Sequence, residues 1–175
     1  MEYCANLPYP PIAVECKNPQ YAACMLSNIG GRVSEMSAVA AYYYNNLQAQ
    51  SCSKEIADAF YKINIVEMHH LQMFGELACL LGADPRLWER QNKNMVYWTP
   101  AYIAYPRDLK GLLTAAIDGE EETIRKYTKQ AQSICDPYIV AVLERIILDE
   151  EMHVDILNYF LSQCGNNTKN NPSKK

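Results

Sequence analysis

No stretch of this 175-residue chain approaches the apolar run of about 18 residues that a membrane-spanning helix needs. There is no basic excess either. The 16 Lys and Arg face 20 Asp and Glu, a formal charge of −4, which argues against a nucleic-acid partner. The opening MEYCANLPYPPIAVEC lacks the basic start and apolar core of a secretory signal, so the expected location is cytoplasmic. None of the seven cysteines (Cys4, Cys16, Cys24, Cys52, Cys79, Cys135, Cys164) stands in a C-x-x-C pair, which leaves a structural zinc or four-cysteine iron site without support. They read as reduced thiols acting as small buried hydrophobes, with a redox role for one in the Cys4–Cys24 segment as the alternative. Histidine is scarce too, at three residues.

Proline is absent where helices are expected and concentrated where they are not. Pro8, Pro10, Pro11 and Pro19 make residues 1–20 an extended arm. Helix A is expected over residues 21–50 and helix B over 54–81, the second ending at Gly82-Ala-Asp-Pro85. Residues 83–106, with Pro85, Pro100, Pro106 and five Trp and Tyr, form a long link that should pack on the domain. Helix C follows over 107–134. Asp136-Pro137 then caps helix D, which should end near Gly165, leaving 165–175 as a disordered polar tail. Residues 21–164 therefore read as an all-α four-helix bundle, two helix pairs joined by one long crossover.

Each helix has an apolar seam, and each seam carries a carboxylate. Helix B aligns Phe60, Ile63, Glu67, His70, Phe74 and Leu77, and helix D aligns Leu143, Ile146, Glu150, His153 and Leu157. Helix C places Glu120 among Leu113, Ile117 and Tyr127, and helix A places Glu35 before Val39 and Tyr42. An unpaired ionised Glu in an apolar core costs several kcal/mol, and four facing one another would repel. The seams offer no Arg or Lys to neutralise them apart from Arg32, so a pair of divalent cations is the economical solution. Two of the three histidines stand three residues after a glutamate, in Glu67-x-x-His70 and Glu150-x-x-His153. At that spacing the two side chains share a helix face and reach one ion. The halves also repeat: Glu35 and Tyr42 match Glu120 and Tyr127, at the same separation of seven residues.

This order, Glu, Glu-x-x-His, Glu, Glu-x-x-His, resembles the ferritin-like, rubrerythrin-type diiron-carboxylate domain over about residues 21–164. The resemblance implies a ferritin-like four-helix bundle with Glu35, Glu67, His70, Glu120, Glu150 and His153 as ligands of two iron ions. Glu67 and Glu150 would bridge, and Glu35 and Glu120 would be terminal. Tyr42 and Tyr127 would donate hydrogen bonds that orient ligand carboxylates. The chain departs from full-length rubrerythrins in lacking their rubredoxin domain, so an electron donor such as a rubredoxin would be a separate protein. Thr123 stands where their third helix has an extra glutamate. Glu121, Glu122, Glu151 and His69 read as residues of outward helix faces.

Carboxylates with one imidazole per ion suit iron or, alternatively, manganese. Three functions follow from the resemblance. The first is a diiron oxidoreductase, a peroxidase that reduces hydrogen peroxide or dioxygen with electrons from the separate donor. The second is a manganese catalase-like enzyme that disproportionates peroxide. The third is a non-enzymatic ferritin-like iron-binding, storage or cargo protein. A homodimer is expected, with neither nucleic acid nor membrane as partner.

Overall fold

The computed structural model describes residues 2–167, so the expected tail lies outside the described residues from position 168 onward. The chain forms α1 (Pro19–Gly30), α2 (Glu35–Ala49), α3 (Lys54–Leu80), β1 (Trp88–Gln91), β2 (Asn94–Tyr97), α4 (Leu109–Ser133) and α5 (Pro137–Asn167). Among the described residues no helix is long and apolar enough to cross a membrane.

Short polar side chains start the helices by accepting hydrogen bonds from first-turn N–H groups. Asn18 caps α1, Ser34 caps α2, Ser53 caps α3 and Asp108 caps α4. Asp136 does the same for α5, its carboxylate accepting from Tyr138 N at 3.1 Å. Helix α3 stops at Gly82, whose φ of +91° lies in the left-handed region that glycine enters without strain. Helix α5 passes the expected stop near Gly165 and reaches Asn167.

Helix A, expected as one element over 21–50, is two helices with a break at residues 31–34. The hairpin packs closely against the end of α1. A Cβ on Gly30 would stand 2.3 Å from the backbone nitrogen of Trp88, so β1 crosses directly on a residue that must be glycine. Ser34 then restarts the helix, accepting from Ser37 N. The long link likewise holds more order than expected, because β1 and β2 pair antiparallel with Trp88 opposite Tyr97. Asn92, at φ 57°, makes the tight turn between them. Trp98 ties the link to α2 by donating from Nε1 to Ser37 Oγ at 2.9 Å.

Helices α2 to α5 form the four-helix bundle, α2 packing mainly on α3 and α4 on α5, while α1 continues the line of α2 along α3. The interior falls into two apolar clusters. One joins Met25 and Ile29 of α1 to Phe74 and Leu77 of α3 and Leu143 and Ile146 of α5. The other joins Tyr42 of α2 to Phe60 and Ile63, Leu113 and Leu157. Truncating a fully buried Phe60 or Phe74 to alanine would cost about 3–5 kcal/mol.

The N-terminal arm runs antiparallel along α5. Glu15 N donates to Asp136, Ala5 N to Asp149, and the backbone carbonyl of Tyr3 meets His153. The cysteines are free but are not buried: four are exposed and three half-buried, because they fall off the seams.

Candidate metal centre

Between the two apolar clusters lies a polar layer built from all four bundle helices. Glu35, from the first turn of α2, meets Glu67 and His70 of α3, Glu120 of α4, and Glu150 and His153 of α5. All six are buried, none more than 3% exposed. One ligand atom each from Glu35, Glu67, His70 and Glu150 falls within 4.8 Å of the others, and so does one each from Glu67, Glu120, Glu150 and His153. Glu67 and Glu150 belong to both groups. The break before α2 matters here, since it places Glu35 at a helix N-terminus, where the helix dipole favours a carboxylate.

The tyrosines of the repeat cross over. Tyr42 of α2 donates its hydroxyl to Glu120 of α4, and Tyr127 of α4 donates to Glu35 of α2. Burial and the neighbouring carboxylates push both phenols well above their ordinary pKa, so each stays a donor.

The two imidazoles are held from outside the layer. His70 Nε2–H donates to Asp149 Oδ2 at 3.0 Å, and His153 Nε2–H donates to the Tyr3 carbonyl at 2.9 Å. With Nε2 committed, a neutral ring turns an unprotonated Nδ1 inward. His70 Nδ1 then lies 3.3 Å from Glu150 Oε1, and His153 Nδ1 lies 2.9 Å from Glu67 Oε1. In the neutral form of the rings, lone pair faces lone pair across these distances. Glu67 Oε1 and Oε2, Glu150 Oε1 and His70 Nδ1 have no hydrogen-bond partner, although all are buried. Such orphaned atoms are costly in a folded core. Cations between them would satisfy every one, so the residues present fit a dinuclear metal site.

Without ions, the crowded layer is relieved by taking up protons instead. Burial, with the charges of Glu67 and Glu150, lifts Glu35 well above the ordinary carboxylate range and Glu120 to about 8. Burial disfavours the charged imidazoles, but the surrounding carboxylates win and raise both. Burial also opposes ionisation of Glu67, yet the neighbouring imidazoles of His153 and His70 outweigh it and keep that carboxylate charged.

Three residues that the seams do not reveal support this layer. Asp149 accepts from His70, from Tyr9 OH, Ala5 N and Arg145 Nη1, the last three each at 2.6 Å. Arg145, only 6% exposed, also donates to the carbonyls of Ala5 and Leu7. Lys126, on the far side, donates to the carbonyls of Ser27 and Val33 across the break before α2. These cations were not apparent on the seams because they stand one helix position away. The available signal was adjacency: Asp149 directly precedes Glu150, and Arg145 stands four residues before Asp149.

Other candidates lie outside the layer. His69 is exposed and packs edge-on against Tyr9, with ring centroids 4.6 Å apart. Glu121 faces solvent beside Arg125, Glu122 pairs with Arg32, and Glu151 is exposed. Thr123 is buried and lines a pocket beside Glu120.

Comparison with known proteins agrees with this architecture. A probable manganese catalase of Clostridium acetobutylicum is 23% identical over 182 aligned positions, covering 94% of this chain and 78% of its own. The crystal structure of a manganese catalase from Anabaena superposes with a TM-score of 0.80 at 22% identity, over 100% of this chain and 86% of that one. Bacterioferritin from Rhodobacter capsulatus gives a TM-score of 0.71 at 19% identity, over 86% of this chain and 89% of its own. The fold is thus the ferritin-like bundle. The family model described as Rubrerythrin matches residues 32–161, a span that holds all six converging residues, and the chain belongs to the rubrerythrin family.

Proposed function

We propose that Glu35, Glu67, His70, Glu120, Glu150 and His153 hold two divalent ions, iron or manganese, and that the centre breaks down hydrogen peroxide. The observation that carries this reading is the convergence of buried atoms on Glu67, Glu150 and His70 that have no hydrogen-bond partner. The ions, when bound, would supply two adjacent electrophilic positions and the electrons that peroxide cleavage consumes.

The chain's own groups do the rest. Burial keeps bulk water from the centre and strengthens each electrostatic contact. Asp149 and the Tyr3 carbonyl fix the tautomers of His70 and His153. Tyr127 orients Glu35. Tyr42 orients Glu120 and keeps a proton on its hydroxyl at the edge of the pocket that both residues line.

Peroxide breakdown has two balanced forms. In disproportionation, two peroxides yield two waters and one dioxygen without an external donor. In reduction, one peroxide takes two electrons and two protons to yield two waters, and a separate protein such as a rubredoxin supplies the electrons. The relatives that are manganese catalases favour the first form. The full pair of Glu-x-x-His elements, with Glu150 shared by both ligand groups, favours the second, in which the ions are iron.

The test is elemental analysis of protein purified anaerobically without chelators, followed by peroxide assays. Two metal ions per chain support the centre, and folded protein that holds none and refuses added iron and manganese overturns it. Peroxide loss that continues without reductant identifies a catalase. Loss that stops after one equivalent per centre identifies a reductase.

A further inference from the structure

The two faces of the polar layer are unequal. On the histidine side the arm closes it: the Tyr3 carbonyl sits on His153, and Ala5 and Tyr9 sit on Asp149 behind His70. On the opposite side, between α2 and α4, a pocket of about 280 Å³ runs in from the surface. Of the six converging residues, Glu120 alone lines it, beside Tyr42. A water occupies about 30 Å³ of liquid, so the space exceeds what a single solvent molecule requires.

Where α2 and α4 face each other the walls of the pocket include a run of small side chains, and Tyr102 and Ile103 of the link also line it. Ala38 and Ala41 of α2 face Ala115, Ala116 and Gly119 of α4. Gly119 lies inside a helix, where glycine is a poor former, and it lines this pocket. A Cβ there would meet nothing within 4 Å, so no close packing demands glycine. Its missing side chain leaves open space next to Glu120. Asp118 and the exposed Arg32–Glu122 pair stand at the same mouth, which gives it a net acidic character suited to cations.

We propose that this pocket is the entrance through which the centre exchanges metal ions and peroxide-sized ligands with solvent, and that Gly119 keeps it open. The inference rests on the metal-centre reading above. A side chain placed at the mouth slows traffic in both directions, so it changes rates and leaves the equilibrium constant alone.

The probes are Co²⁺, read by its visible absorption in the metal-free full-length protein, and azide added to the cobalt-loaded form. In Gly119→Phe, cobalt uptake, its extraction by chelator and azide binding should each slow about tenfold, with cobalt affinity and melting temperature preserved. Ala41→Leu on the opposite wall should act in the same direction. Gly75→Phe, at an equally open helical glycine on α3, should leave all three rates unchanged. Wild-type rates in folded Gly119→Phe and Ala41→Leu would overturn the entrance. Slowed uptake with weakened affinity would also overturn it, since that is damage to the site. Wild-type protein that binds no cobalt would overturn the metal-centre reading itself.

Discussion

Asp149 Oδ2 accepts the Nε2 proton of His70 at 3.0 Å, while its other oxygen accepts from Arg145 and from the backbone of Ala5. One carboxylate thus joins an imidazole of α3, a guanidinium of α5 and the N-terminal arm. Burial alone would raise the Asp149 pKa, but these donors hold it well below the ordinary range.

Asp149→Asn keeps the size and removes the charge. Arg145 would be left buried without its partner, at a cost of about 3–5 kcal/mol. Asn keeps one acceptor oxygen for donors on two sides, so its NH₂ must face either Arg145 and Ala5 or His70 and Tyr9. The disturbed orientation of His70 should weaken metal affinity about 10–100-fold. Thermal unfolding of the metal-free protein reads the first effect, and a competitive chelator titration reads the second.

Deletion of residues 2–9 removes the arm's contacts with Asp149, Arg145 and His153. Several of these are charge-assisted bonds worth roughly 1.5–3 kcal/mol each, so stability should fall by about 3 kcal/mol or more. Denaturant unfolding measures it. An unchanged midpoint would show that the arm adds nothing to the bundle.

Glu120→Gln should separate folding from function. It keeps an acceptor for Tyr42 and removes one of four crowded carboxyls, so the metal-free protein should be as stable as the wild type or up to about 2 kcal/mol more stable. Its stabilisation by added metal, about 2.7 kcal/mol in the wild type at 100 times the dissociation constant, should shrink or vanish. Melting curves with and without metal report both.

Lys126 gives a pH signature. Burial lowers its pKa to about 8, against 10.5 in the unfolded chain. The unfolded state therefore binds more protons between those values. The cost of burying the charge is fully present below pH 8 and is relieved as pH rises toward 10.5, so stability should climb across that window. The climb, at most about 3 kcal/mol, should be absent from Lys126→Met. That variant also loses the bonds to Ser27 and Val33, which lowers its stability at every pH. Paired denaturant titrations at pH 7.5 and 10 would read the difference.

The sequence alone determined the bundle and the identity of the converging residues, because both are written in short-range periodicity. A glutamate and a histidine three positions apart share a helix face wherever the helix lies, and a carboxylate in an apolar seam must point inward. Only the tertiary structure decided what surrounds them. The glycine that ends α1 before the break is crossed closely by a distant strand. Asp149 and Tyr3 act through contacts with His70 and His153, residues 79 and 150 positions away. The entrance beside Gly119 is a gap between two helices. Such contacts follow from how the elements meet in space, and no local pattern of residues records them.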